Sequence, residues 1–200
     1  LRARNKMLDK IKYHGAGTGE LGFWDEQLAK LGRVIIDSRK KYARILNNRL
    51  EQCFKKITNN NAKEQKISFY YQSNVQDTDN FKKELEGVRE RELRYARTIL
   101  GPHRDDWSIK INGADIRATA SRGETRTALL ALKMAEAGVL NSVKGEAPVL
   151  LLDDVFAELD KRHSEAILEL FNESQVFITA TDAEYIPEKI RAAAQLEQVG

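Results

Sequence analysis

The sequence contains one cysteine, Cys53, in 200 residues. That excludes an internal disulfide framework, and it excludes a zinc site built from cysteines alone, which needs several thiolates. No apolar run approaches the ~18–20 residues of a membrane span. Leu1 to Lys12 are too charged for a secretory signal. There is no internal repeat and no low-complexity tract. What remains is a soluble globular chain suited to a reducing cytoplasm, with 32% charged and 42% hydrophobic residues. Its length suits one large domain or two small ones and buries roughly 70% of the unfolded surface. The chain begins at Leu1, already in helical pattern, so a preceding segment is expected.

Charge is unevenly spread. Residues 1–100 hold 22 Lys and Arg against 13 Asp and Glu, a net +9; residues 101–200 hold 11 against 17, a net −6. A basic half favours nucleic acid, because neutralising phosphates supplies most non-specific affinity. The same charges also suit a solvated helix surface.

Residues 14–19 (His-Gly-Ala-Gly-Thr-Gly) resemble a phosphate loop only superficially. No strand precedes them and no Gly-Lys-Ser/Thr follows, so a linker between helices is predicted. From Glu20 to Ile57, Trp24, Leu28, Leu31, Ile35, Tyr42, Ile45 or Leu46, and Leu50 recur at helical spacing. Arg33, Arg39, Lys40, Lys41 and Arg44 form a basic back to this long helix. Gly32 is tolerated within it at about 1 kcal/mol. Ile67 to Ser73 reads as a strand and Asn80 to Arg97 as a second charged helix.

In the second half, Trp107–Ile111, Asn112-Gly113 and Ala114–Arg117 spell a hairpin with a type I′ turn. A helix over Thr125–Asn141 follows. Pro148–Leu152 and Gln175–Thr179 read as buried parallel strands flanking a helix at Lys161–Asn172, a βαβ unit.

Three places carry chemistry. Asp153 and Asp154 stand at the C-terminal end of a strand, the edge where open α/β sheets bind ligands. One such carboxylate can hold Mg²⁺ and its neighbour can orient or deprotonate a water; the pair equally suits a solvated turn. Ser121-Arg-Gly123-Glu124 opens a helix, where a hydroxyl and unpaired N–H groups face an anion. An ordinary serine cap explains it as well. Gly101-Pro-His103-Arg104-Asp105-Asp106 is a compact polar loop that spacing alone does not assign to metal, phosphate or protein. Asp160 fits the N-cap of the helix after the acidic pair.

Gly101–Asp106, then Ser121–Arg126 leading into Ala128–Lys133, then Leu150–Asp160, then Gln175–Thr179 resemble, in this order, the RecF family of bacterial DNA replication and repair ATPases, relatives of the SMC and ABC ATPases. The specific motifs cover about the last hundred residues. Phe23–Leu28 and the basic helix look more loosely like that family's helical arm.

The resemblance implies an α/β fold, the C-terminal part of an ABC/SMC-type ATPase head (residues 99–200) with a helical arm (residues 1–98). It implies ATP and Mg²⁺ as cofactors, with ATP held between two heads of a homodimer. Ser121, Gly123 and Glu124 would contact the partner head's γ-phosphate, Asp153 would hold Mg²⁺, Asp154 would activate water, and Asp160 would belong to the loop crossing the dimer interface. Arg33, Arg39, Lys40, Lys41 and Arg44 would meet DNA phosphates. Implied partners are single-stranded and gapped duplex DNA and recombination mediator proteins, in a cytoplasmic, nucleoid-associated setting.

Departures from the family pattern are plain. Arg122 replaces the first of two signature glycines, Glu124 stands where glutamine is common, and Ala180 falls where transporters place a histidine. No Gly-x-x-x-x-Gly-Lys-Ser/Thr occurs in these 200 residues, so this chain alone is expected to bind ATP poorly and hydrolyse it negligibly. Two other readings compete. Asp105, Asp106, Asp153 and Asp154 could build a two-metal phosphodiesterase, or the chain could be a DNA- or protein-binding module indifferent to ATP.

Overall fold

The computed structural model describes residues 1–58, 65–158, 164 and 174–198. The chain divides into two compact units: Leu1–Arg44 with Tyr70–Ser108, and Ile45–Phe69 with the residues from Ile109 onward. Among the described residues no helix is long and apolar enough to cross a membrane.

In the first unit, α1 (Arg2–His14) ends at Gly15, whose φ of 63° is the left-handed value a helix C-terminus asks of glycine. The glycine-rich segment then links it to α2 (Leu21–Ile57), as predicted. The buried line of α2 differs from the predicted one. Leu21, Ile36, Ala43, Leu46 and Leu50 are buried, whereas Leu31 and Ile35 are 59% and 42% exposed. Gly32 explains the shift. A Cβ there would lie 2.6 Å from the Phe81 ring and 3.3 Å from Pro102. The missing side chain lets Phe81 and Pro102 close onto the Gly32–Ile36 face, and Ile36 joins a core of Val75, Phe81, Leu85 and Leu100.

The predicted helix at 80–97 is two helices, α3 (Phe81–Gly87) and α4 (Arg89–Tyr95). Val88 separates them at φ −104°, ψ 3°, next to Gly87, a poor helix former. Its N–H is shared between the carbonyls of Glu84 (3.2 Å) and Leu85 (3.3 Å).

A three-stranded sheet has the order β1 (Ile67–Gln72), β2 (Asp106–Ile111), β3 (Ala114–Asp115). The expected hairpin turn is present: Asn112 and Gly113 have φ of 52° and 84°. Its second strand is shorter than predicted. Asp115 accepts a hydrogen bond from the Arg117 N–H at 2.9 Å and so caps α5 (Ile116–Thr119) instead of continuing the ladder.

In the second unit, α6 (Arg122–Lys144) is longer than predicted, opened by a capping box and closed by Gly145 in the left-handed region. Strands β4 (Leu150–Asp153) and β5 (Val176–Thr179) pair in parallel, with Leu151 opposite Phe177 and Asp153 opposite Thr179. One face packs on Phe156, Ile186 and Ile190. The other is open: Leu151 is 76% and Phe177 55% exposed. The expected burial of both faces is therefore half realised among the described residues, where one side of this two-stranded ribbon is covered. Apart from Ser164, the predicted helix at Lys161–Asn172 and its cap Asp160 lie outside the described residues.

Candidate functional site

The parallel register brings three residues together at one strand end. Thr179, directly opposite Asp153, donates its hydroxyl hydrogen to Asp153 Oδ1 at 2.5 Å. The Asp154 N–H points back to Thr179, 3.1 Å from its carbonyl and 3.2 Å from Oγ1. Asp154 takes a φ of 49°, uncommon for a residue with a Cβ and most accessible to Asp and Asn. The chain thus turns sharply after β4 with both carboxylates exposed. Asp153 and Asp154 also line a cavity of about 710 Å³ whose other walls include Leu129, Leu130, Leu140 and Leu151.

These oxygen donors fit a hard cation. Among the described residues no group of three or more His, Cys, Asp or Glu converges on one point. The chain therefore offers one or two carboxylates, the donor set that suits Mg²⁺, which keeps several waters and takes phosphate oxygens besides.

Ser121 caps α6. Its Oγ accepts the Glu124 N–H at 3.2 Å, and Glu124 Oε2 accepts both the Ser121 N–H (2.9 Å) and the Ser121 hydroxyl (2.8 Å). These bonds, the backbone one foremost, hold the exposed Glu124 carboxyl below its usual range. The capping role is thus fulfilled in full, and both Ser121 donors are turned to Glu124. Gly123 is different: a Cβ there would meet nothing within 4 Å, so nothing in the described chain requires glycine. Among the described residues no hydrogen bond joins Ser121, Gly123 or Glu124 to Asp153 or Asp154.

The polar loop before β2 is knit into the first unit. The Asp105 side chain is fully buried; it accepts from the Tyr71 hydroxyl and from the Asn74 N–H at 2.9 Å. Arg39 donates to the Pro102 carbonyl at 2.6 Å and lies 3.6 Å from Asp105. Gly101 has φ 130°, and a Cβ on it would meet the His103 ring at 3.3 Å. His103 Nε2 donates to the Thr98 carbonyl at 3.2 Å; burial pushes its imidazole below the ordinary value, opposed by that bond. Arg104 is exposed. The oxygens of Asp105 are thus taken up by Tyr71, Asn74 and Arg39 rather than offered to a metal, which weakens the two-metal reading.

Of the basic residues on α2, Lys41 and Arg44 are exposed and Lys40 partly so. Arg33 pairs with Asp79 at 2.5 Å and Asp37 at 3.6 Å, and Arg39 is committed to the loop.

Two features escaped the sequence. Thr179 is one; its signal is a hydroxyl residue ending the strand that pairs with the acidic strand end. The other is a buried charge network. Arg4 (1% exposed) donates to Asp25 at 2.8 Å, Thr98 at 2.7 Å and Glu92 at 2.5 Å, and Arg89 also pairs with Asp25. Its sole hint is that Arg4 sits four residues before the buried Leu8.

Comparison with family models finds no match. The DNA replication and repair protein RecF of Clostridium botulinum (strain ATCC 19397 / Type A) is 42% identical over 170 residues, 83% of this chain and 46% of the relative. RecF of Clostridium kluyveri is 38% identical over 200 residues, 98% of this chain and 54% of the relative. The structure of the "recombination mediator protein RecF-ATP in RecFOR pathway" superposes with a TM-score of 0.81 at 36% identity, over 92% of this chain and 51% of that one. The chain spans about half the length of the curated relatives it matches. Sequence and fold agree: the chain is homologous to RecF over most of its length, matching the C-terminal part of that ABC ATPase-type protein.

Proposed function

We propose that this chain acts in DNA replication and repair as the arm and distal head of a RecF-like, ATP-operated DNA-binding protein. The observation that carries the reading is 38–42% identity to RecF across most of the chain. In this reading residues 1–98 serve as the arm and residues 99–200 as part of the head. Asp153 holds Mg²⁺ and Asp154 orients the attacking water. Mg²⁺, when bound, neutralises charge on the phosphates. Ser121, Gly123 and Glu124 face the γ-phosphate of a partner head in an ATP-dependent homodimer; open space at Gly123 lets another molecule approach the backbone. Asp160 lies at the same dimer interface. Lys40, Lys41 and Arg44 take DNA phosphates without reading bases, while Arg39 keeps the Pro102 loop in place. The substrates are single-stranded and gapped duplex DNA, the partners recombination mediators, and the setting the cytoplasm beside the nucleoid.

The test is fluorescence anisotropy with a labelled gapped duplex. Affinity is expected to fall steeply between about 50 and about 200 mM salt. Replacing Lys40, Lys41 and Arg44 by alanine should flatten the slope of log affinity against log salt by about one per lost phosphate contact. No binding, or a flat salt response in the unsubstituted protein, contradicts the reading.

A further inference from the structure

We propose that Thr179 is the positioning residue for the acidic strand end, a role that rests on the reading of Asp153 as the Mg²⁺ ligand. The side-chain hydroxyl of Thr179 does two things at once. It donates to Asp153 Oδ1 at 2.5 Å and accepts from the Asp154 N–H at 3.2 Å. The first bond fixes the rotation of the Asp153 carboxylate and occupies one of its oxygens, leaving the other for a cation. The second joins the Thr179 carbonyl, 3.1 Å away, in holding the Asp154 backbone at its φ of 49°. A carboxylate at an exposed strand end has free rotation about its side-chain bonds unless something arrests it, and ordering it at the moment of binding costs affinity. Hydrogen-bond partners behind metal ligands typically carry 10–100-fold in metal affinity. Threonine suits the position twice: its branched Cβ fits a strand, and its hydroxyl reaches the neighbouring strand because the parallel register sets Thr179 opposite Asp153.

The test is Mn²⁺ binding by the whole chain, followed by electron paramagnetic resonance of the free ion, with far-UV circular dichroism and the urea midpoint as controls of folding. Thr179→Val keeps the branched shape and removes the hydroxyl; it is expected to weaken Mn²⁺ binding about tenfold or more. Thr179→Ser restores the hydroxyl without the methyl group and is expected to recover most of the affinity. Asp153→Asn is expected to abolish the binding. If Thr179→Val binds Mn²⁺ as the unsubstituted chain does, or if Thr179→Ser is as impaired as Thr179→Val while folded, the positioning role is overturned and the ligand reading stands. If Asp153→Asn leaves binding unchanged, or the unsubstituted chain binds no Mn²⁺, the ligand reading fails and the positioning role falls with it. Should Thr179→Val not fold, the serine variant decides: impaired binding in a folded Thr179→Ser protein overturns the proposal.

Discussion

The side-chain amide of Asn47 clasps the backbone of Phe69 on both sides. Its Nδ2 donates to the Phe69 carbonyl at 2.8 Å and its Oδ1 accepts the Phe69 N–H at 2.8 Å. Phe69 lies on β1, one of the two outer strands of its sheet, where backbone groups on one side lack a neighbouring strand. One helix side chain thus stands in for that neighbour. Asn47→Asp is the diagnostic change: it keeps the acceptor for the N–H but sets a carboxylate oxygen against the carbonyl. It should destabilise the protein by about 1–3 kcal/mol, and Asn47→Ala by a similar amount. Urea unfolding measures both; an unchanged midpoint for Asn47→Asp contradicts the clasp.

The Arg4 network predicts a larger effect. Arg4→Met leaves Glu92 and Asp25, both fully buried, short of a positive partner. Breaking a buried pair from one side costs about 3–5 kcal/mol. Arg4→Lys should not rescue, because an ammonium cannot reach three partners in a guanidinium's fork geometry. Both tryptophans, Trp24 and Trp107, belong to the same unit, so their fluorescence reports the loss.

Two glycines of α2 should respond with opposite signs. Gly32→Ala forces a Cβ to within 2.6 Å of the Phe81 ring; overpacking costs about 1–3 kcal/mol, which outweighs the better helix propensity of alanine. Gly22→Ala meets nothing within 4 Å and should stabilise by about 0.4–1 kcal/mol. Equal signs in denaturant unfolding would show that propensity, not the approach of Phe81, decides.

Tyr71 sets an alkaline dependence. Burial first, then the hydrogen bond to Asp105, push its phenol up to about 12. The folded state therefore prefers the neutral phenol. That contribution is whole below the unfolded value of about 10 and is lost as pH rises from there toward about 12. Unfolding compared at about pH 9 and about pH 11 should lose more stability in the unsubstituted protein than in Tyr71→Phe. Identical losses would mean that Tyr71 ionises as freely folded as unfolded.

Local signals were readable where the backbone itself demands a residue type. The Asn112-Gly113 turn, the linker after His14 and the parallel partnership of the two apolar strands were all legible. Long-range matters were not. The face that α2 buries depends on Phe81 and Pro102 arriving over Gly32, which no periodicity within the helix contains. Ile116 and Arg117 read as strand because the Asp115 capping bond to the Arg117 N–H competes with the ladder only once the hairpin exists. Spacing leaves the role of Asp105 open because its partners, Tyr71 and Asn74, lie some thirty residues earlier. At the candidate site the strand-end carboxylates and the capped helix were visible as residue types. Thr179, which ties the carboxylates down, became visible only through the strand register.

In the proposed RecF-like role these motifs serve one half of an ATP site whose other half is a phosphate loop. The most direct measurement is to read the coding sequence upstream of residue 1. An apolar strand followed by Gly-x-x-x-x-Gly-Lys-Ser/Thr is the expected result. An upstream reading frame without that loop would contradict it and leave a DNA- or protein-binding module indifferent to ATP.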